Sequence, residues 1–164
     1  MDITTSEEFE SVVSKILGDV VSEVVDIIMQ NNEELINEIV YNPFDPQDYT
    51  RTHDFLHAWD KETKGLESEM SYSAKDMTLD KANFIHGSEW AGYQSDVRNA
   101  LAEIIYDGLS GDLFGDGYWT NKRDAWTPLI KRIDEHFDEW VIATFNKHGF
   151  ECRRSTTGKV LFWK

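Results

Sequence analysis

The segment His53-Asp54-Phe55-Leu56-His57 holds a candidate for metal chemistry, because its two histidines stand four residues apart. On a helix this spacing presents both imidazoles to one zinc ion, as in the His-Glu-x-x-His pattern of zinc hydrolases. Asp54 is one methylene shorter than the glutamate of that pattern, and no third ligand follows at a recognised spacing. On a strand, His53 and His57 would lie about 13 Å apart, too far to share a metal. We therefore expect surface or interface histidines, and a metal-dependent hydrolase built on His53, Asp54 and His57 remains the third of three functional hypotheses.

A second candidate is a glycine-rich stretch that carries Asp112 and Asp116 and follows Asp107. Hard cations such as calcium bind several carboxylates on a sharp turn. Counted from Asp112, however, the third position is Phe114 and the twelfth is Arg123, so the spacing of an EF-hand fails. The same carboxylates would repel a phosphate group. We expect a loop with solvated carboxylates, with an irregular cation site as the alternative.

Cys152 is the only cysteine, which excludes an internal disulfide and a cysteine-based zinc cluster. His148 stands four residues before it, but Gly149 interrupts the chain between them and nothing orients a base toward the thiol. We expect a buried or idle thiol. The sequence therefore predicts no catalytic residue, no cofactor and no metal ligand.

The chain has 164 residues, 40% of them hydrophobic, and a formal charge of −15, which predicts one domain over residues 1–164. The negative charge argues against binding to a nucleic-acid backbone. We find neither a leader peptide nor an apolar run that could span a membrane, and we expect a soluble protein. Residues 1–50 carry twelve acidic side chains against Lys15, whereas residues 147–164 carry five basic side chains against Glu151. These ends are either solvated faces or the two halves of a head-to-tail contact between subunits, of the kind that closes rings.

A long helix is expected over about residues 6–40. Thr5 and Glu8 form a capping box at its start, and apolar residues then recur at helical spacing. A bend or break at Asn31-Asn32 is one option. Because Gly18 and the many β-branched residues are poor helix formers, packing rather than propensity must hold this helix.

A sheet region is expected over about residues 49–92. Tyr49–Trp59 is rich in β-formers at its start and is interpreted as a strand or extended segment, although the spacing of His53, Phe55, His57 and Trp59 would also suit a helical turn. Residues 62–65 are interpreted as a loop. Residues 66–74 alternate between apolar and polar side chains, which predicts a half-buried strand. A further short strand is expected at residues 82–85.

The remaining chain predicts two helices and a hairpin. A helix over about 95–107 precedes a glycine loop at 108–117, and a second helix over about 127–148 begins with Thr127 as its N-cap. A hairpin over 150–164 follows the helix. The fold class is therefore α+β, with a long N-terminal helix and two further helices packed on a small, mostly antiparallel β-sheet.

Several segments carry a family resemblance, and their motifs are structural rather than catalytic. They are Val40–Pro43 followed by Tyr49–Trp59, then His86–Ser88, and finally Trp119–Ile130. In this order, after a long N-terminal helix, they resemble neck and tail-completion proteins of tailed bacteriophages, also called minor tail components. The acidic N-terminal helix and the basic C-terminal hairpin depart from features that can be assigned to that family.

The resemblance implies a non-enzymatic virion protein, assembled in the host cytoplasm, that forms an oligomeric ring at the head-to-tail junction and lets DNA pass without specific binding. Its implied partners are further copies of itself, connector or portal-side proteins, and tail tube or terminator proteins, with no membrane. The residues that we expect at such interfaces are Tyr118, Trp119, Trp126, Arg153, Arg154 and Lys159. The leading alternative is an acidic binding module or inhibitor, including a DNA mimic, for which the charge would be the active feature.

Overall fold

The computed structural model describes residues 5–43, 53–77, 94–108, 121–154 and 160–163, with the backbone only at 94–100 and 160–163. The elements in chain order are α1 (Ser6–Ile36), a π-helical segment (Asn37–Tyr41), β1 (Trp59–Lys64), β2 (Glu67–Tyr72), α2 (Gln94–Asp107), α3 (Trp126–Lys147), β3 (Glu151–Arg154) and β4 (Val160–Trp163). The predicted α+β class is confirmed. The described strands form two separate two-stranded sheets, β1 with β2 and β3 with β4. Within these ranges, no helix is both long enough and apolar enough to cross a bilayer.

The chain divides into two compact units. The first contains Met1–Gln30, Lys61–Met70 and Ile130–Lys164, and the second contains Asn31–Asp60 and Ser71–Leu129. The core of the first unit consists of Val20, Val24, Phe145 and Cys152, with Ile16, Leu17, Ile28, Val141, Ile142 and Phe150 packed against it. The buried apolar side chains of the second unit are Leu35, Ile36, Val40, Phe55, Ala58, Met77, Leu101, Ile105, Ala125 and Leu129.

α1 begins with the predicted capping box. The backbone N–H of Glu8 donates to the Thr5 hydroxyl oxygen at 3.2 Å, and the backbone N–H of Thr5 donates to the Glu8 carboxylate at 3.1 Å. In this way two backbone N–H groups at the N-terminus of α1, which have no acceptor within the helix, are satisfied. The helix runs without a break through Asn31-Asn32 and widens to π-helical pairing only at Asn37, so the long predicted helix is confirmed without a break.

Gly18 allows the turn between β1 and β2 to lie against α1 within the first unit. A Cβ atom built on Gly18 would stand 2.8 Å from the backbone carbonyl oxygen of Gly65, closer than any real contact. Gly65 has a φ of 62°, which a glycine adopts without strain. On β1, Lys61 donates to the Ser22 hydroxyl at 3.1 Å and forms an ion pair with Asp26. These contacts fix the hairpin on the helix.

The strand interpreted at Tyr49–Trp59 is wrong over residues 53–58, which form successive tight turns, whereas Trp59 begins β1. Leu56 N–H donates to the His53 carbonyl at 2.9 Å, and His57 N–H donates to the Asp54 carbonyl at 3.1 Å. Phe55 and Ala58, three residues apart, are thereby buried on one side. Residues 49–52 lie outside the described residues.

β1 extends through residues 62–64, so the loop predicted at 62–65 is wrong except at its end. The three last residues of β1 are exposed, and an exposed strand lacks the apolar alternation by which it could be recognised. β2 confirms the strand predicted over 66–74, since Ser68, Met70 and Tyr72 are half-buried and the residues between them are exposed. The strand predicted at residues 82–85 lies outside the described residues.

The predicted helix ends and the C-terminal hairpin are confirmed. Gly108 after α2 and Gly149 after α3 have φ values of 74° and 84°, the left-handed conformation that commonly ends helices. β3 and β4 pair antiparallel, with Glu151 opposite Trp163 and Arg154 opposite Val160. The predicted glycine loop beyond residue 108 and the hairpin turn at residues 155–158 fall outside the described part of the chain.

Candidate interaction surface

The start of α3 is fixed by Asp124. Its carboxylate accepts hydrogen bonds from the backbone N–H groups of Trp126 at 3.0 Å and Thr127 at 2.9 Å, and from the Thr127 hydroxyl at 2.6 Å. Thr127, predicted as the N-cap, is therefore a donor, and that prediction is wrong because Asp124 supplies the acceptor. The bonds from the Thr127 hydroxyl and N–H, helped by Lys122, hold the pKa of Asp124 below its usual value. A charged carboxylate thus stands at the positive end of the helix dipole.

Trp126 is held in one orientation by a ring stack. Its indole lies over Trp59, with ring centroids 6.1 Å apart and planes inclined by 11°, yet Trp126 stays 40% exposed. Trp59 also contacts Phe55 and Tyr72, and Phe55 contacts Tyr106. We call these five side chains the aromatic cluster of the second unit. A large, exposed and immobilised ring is the type of residue that dominates protein interfaces.

The interior of the aromatic cluster contains polar atoms. Burial raises the pKa of Tyr72 to about 12 and raises the pKa of Tyr106 further, so both phenols stay protonated near neutral pH. The Tyr106 hydroxyl and the Trp59 indole N–H are buried and find no hydrogen-bond partner within the described ranges. Unsatisfied buried donors cost free energy, so these two atoms lower the stability that the aromatic cluster contributes.

The basic residues predicted at an interface belong to the first unit. Arg153 and Arg154 lie exposed on β3, and the Arg154 guanidinium donates to the Asp138 carboxylate at 2.7 Å. Trp126 belongs to the second unit. The other three predicted interface residues, Tyr118, Trp119 and Lys159, lie outside the described residues.

A charged contact joins the acidic and basic ends of the sequence inside one chain. The Glu23 carboxylate on α1 accepts a hydrogen bond from Lys147 at 2.6 Å and contacts the His148 ring nitrogen at 2.9 Å. The bond from Lys147 is the main reason that the pKa of Glu23 is lowered. Sequence reasoning missed this contact because it considered only solvated faces or a contact between subunits for the two ends, and no local pattern pairs residues so far apart.

The candidate zinc segment does not present its histidines as a helix would. His53 and His57 lie in the turns of residues 53–58, and His53 has a φ of 60° and contacts the Tyr41 ring with centroids 4.5 Å apart. Among the residues that the structure describes, no three His, Cys, Asp or Glu side chains gather where they could hold a metal ion. Residues 53–58 therefore do not form the helix on which the His-Glu-x-x-His pattern depends.

The candidate cation loop is described only at its borders. Lys122 lies with its ammonium nitrogen 3.7 Å from the Asp107 carboxylate and 3.5 Å from that of Asp124. The Lys122 ammonium group therefore offsets charge beside Asp107 and Asp124. Asp112 and Asp116 lie outside the described residues.

The thiol of Cys152 is buried, which confirms the predicted buried thiol. Burial raises its pKa, which disfavours the nucleophilic thiolate. The Cys152 backbone N–H donates to the Asn146 side-chain oxygen at 2.7 Å, which ties β3 to the end of α3. His148, the neighbouring base in the sequence, contacts Glu23 instead.

Comparison of the chain with family models, with curated proteins and with solved structures finds no match. The sequence motifs and the geometry around Trp126 therefore carry the functional proposal.

Proposed function

We propose that this chain is a structural protein of a tailed-phage virion that forms an oligomeric ring at the head-to-tail junction, joining the tail to the head and letting DNA pass. The segments Tyr49–Trp59 and Trp119–Ile130 support the proposal through their resemblance to neck and tail-completion proteins. The observation that carries it is Trp126, an exposed indole stacked on Trp59, whose backbone N–H donates to Asp124. Such a ring contributes contact area at little entropic cost when a partner docks.

The charge of the chain suits a conduit for DNA. With a net charge of −15, the protein repels phosphate, so DNA could pass without being held. The first turns of α1 contribute to this field, because Glu7, Glu8 and Glu10 are all exposed. In this proposal the ring channels DNA by closure and repulsion rather than by binding.

The test is the mass of the purified chain across protein and salt concentration, measured by light scattering on a sizing column, together with electron microscopy. The same measurements are made with the portal and tail tube proteins of one phage. Closed rings, or a monomer that joins rings only with those partners, support the proposal. Trp126→Ala should reduce incorporation into rings, whereas the control Phe9→Ala, which removes another exposed aromatic ring at 49% exposure, should not.

The second candidate is an acidic binding module or inhibitor, favoured by the exposed carboxylates at the start of α1. In that case the chain would remain a strict monomer, ignore portal and tail proteins, and capture a DNA-handling protein. Replacing Glu7, Glu8 and Glu10 by Gln should then abolish capture. The same triple variant should still assemble if the chain is a ring protein whose contacts lie at Trp126.

A further inference from the structure

The outer edge of β3 is covered by a side chain of α3. The Cys152 backbone N–H donates to the Asn146 side-chain oxygen at 2.7 Å, and the Asn146 side-chain nitrogen donates to the Cys152 carbonyl oxygen at 3.4 Å. Both backbone groups of Cys152 therefore point away from β4. The Asn146 amide bonds them as a neighbouring strand would, so a further strand cannot pair with β3 at this position.

The register of the hairpin fixes which backbone groups of β4 point outward. Cys152 lies opposite Phe162. In an antiparallel ladder, pairs that exchange two hydrogen bonds alternate with pairs that exchange none. Because Cys152 directs its N–H and C=O away from β4, its pair with Phe162 is one without mutual bonds. The N–H and C=O groups of Phe162, and by the same alternation those of Val160, therefore point to the outer edge of β4. Those of Leu161 and Trp163 point to β3.

The outer edge of β4 thus presents four backbone groups that β3 does not bind. In the described part of the chain, this sheet contains only β3 and β4. A row of N–H and C=O groups on an edge strand is a template for a further strand. Two strands of four residues are also fewer than the three that usually make a sheet stable. The occupant that matches this edge is an extended backbone.

The charge at the ends of β4 decides which extended segment fits. Residues 151–164 carry four basic side chains against Glu151, and Lys159 and Lys164 flank β4 directly. Arg154 is already paired with Asp138, so the two lysines decide the charge at the ends of the strand. A second copy of β4, in either direction, would bring two lysines together at each end of a short ladder, which opposes pairing. An acidic segment brings opposite charge to both ends.

We propose that the outer edge of β4 binds an acidic extended segment of a partner protein as a third, antiparallel strand. The backbone of this segment exchanges hydrogen bonds with Val160 and Phe162, and its acidic residues stand opposite Lys159 and Lys164 in the register. Backbone bonding supplies the contact, and the lysines select acidic segments over basic ones. The inference is independent of the neck proposal, because it uses neither Trp126 nor ring closure.

Hydrogen exchange of the full chain, followed by NMR, tests the open edge. In the free chain, the amides of Val160 and Phe162 should exchange faster than those of Leu161 and Trp163, which donate to β3. The probe is the end-blocked peptide Glu-Thr-Val-Thr-Val-Glu, whose two valines pair with Val160 and Phe162 when its glutamates stand opposite the lysines. At a peptide concentration ten times its Kd, exchange at Val160 and Phe162 should slow by about tenfold. Protection of these two amides in the free chain would mean that the edge is already covered, and would overturn the proposal.

Methylation of the peptide backbone tests the bonding pattern without changing the chain. N-methyl groups on the two valines remove the N–H groups that face β4 and should abolish binding. N-methyl groups on the two threonines remove N–H groups that point away from β4 and should be tolerated. Equal binding of the two methylated peptides, or no binding of the unmethylated peptide at about 1 mM, would overturn the proposal.

Charge reversal tests the choice of partner. The peptide Lys-Thr-Val-Thr-Val-Lys should bind the unmodified chain about tenfold more weakly than the acidic peptide. The double variant Lys159→Glu/Lys164→Glu should reverse this preference, and circular dichroism checks that it keeps its fold. A chain that binds the two peptides equally would show that the lysines do not select an acidic partner, which would refute the proposal.

Discussion

Replacing Gly18 by alanine should destabilise the protein, although the same change stabilises most helices. Gly18 lies inside α1, where alanine is ordinarily favoured over glycine by about 1 kcal/mol. Here, the new Cβ would lie 2.8 Å from the Gly65 carbonyl oxygen, a backbone atom that cannot move without shifting the hairpin. Overpacking of this kind costs about 1–3 kcal/mol. The net expectation is a loss of about 1 kcal/mol, and a lowering of Tm by about 2–4 °C for a chain of this length.

The assay is thermal unfolding followed by circular dichroism, with urea unfolding as a second measure of the free energy. Ser14→Ala is the matched control, because Ser14 is an exposed residue of the same helix and its replacement should raise stability slightly. Gly65→Ala distinguishes a steric clash from backbone strain. Nothing lies within 4 Å of the Cβ added at Gly65, so this variant is destabilised only by its φ of 62°. A Tm of Gly18→Ala above that of the unmodified protein would refute the close approach of the turn to α1.

Three further changes have defined outcomes. Asp124→Ala should lower the unfolding free energy by about 1 kcal/mol through loss of the cap, and Asp124→Asn, which keeps an acceptor, should lower it less in the same urea titration. Glu23→Gln should flatten the dependence of the unfolding free energy on pH in the acid range. In the folded protein Lys147 and His148 lower the pKa of Glu23. The stabilisation by the Glu23 carboxylate is therefore complete above its ordinary pKa and is lost as the pH falls through the lowered folded-state pKa. Trp126→Ala should remove the stacked indole and change the near-ultraviolet circular dichroism while leaving the far-ultraviolet signal unchanged.

The sequence predicts the elements whose signals are local. The capping box of Thr5 and Glu8 lies within one helical turn, and Gly149 requires only its own backbone conformation, so both were readable without tertiary knowledge. The alternation over residues 67–72 likewise reflects one half-buried face. These features depend on a few neighbouring residues, and the structure confirms each of them.

Where tertiary contacts decide, the sequence misleads. Residues 53–58 form turns although the β-formers at the start of Tyr49–Trp59 suggest a strand, and residues 62–64 are polar but form a strand. That strand is held by Lys61, which contacts Ser22 and Asp26 on a helix far away in sequence. In the candidate site, Trp126 was predicted as an interface residue from its residue type. Its stack on Trp59 was not predicted, because no local pattern pairs the two indoles.

The in-chain contact at Glu23 changes how a salt titration of assembly must be interpreted. Screening weakens exposed ion pairs within a monomer as well as between subunits, and Lys147 already uses its charge on Glu23 of the same chain. We therefore expect the Tm difference between the unmodified chain and Glu23→Gln to shrink as salt rises, because screening weakens the Glu23 pair that only the unmodified chain has. At a salt concentration where Glu23→Gln and the unmodified chain have equal Tm, the Glu23 pair no longer contributes to the stability of the monomer. Loss of rings at that concentration would therefore show that charge contacts lie between subunits. Rings indifferent to salt would show that charge between the two ends does not hold them.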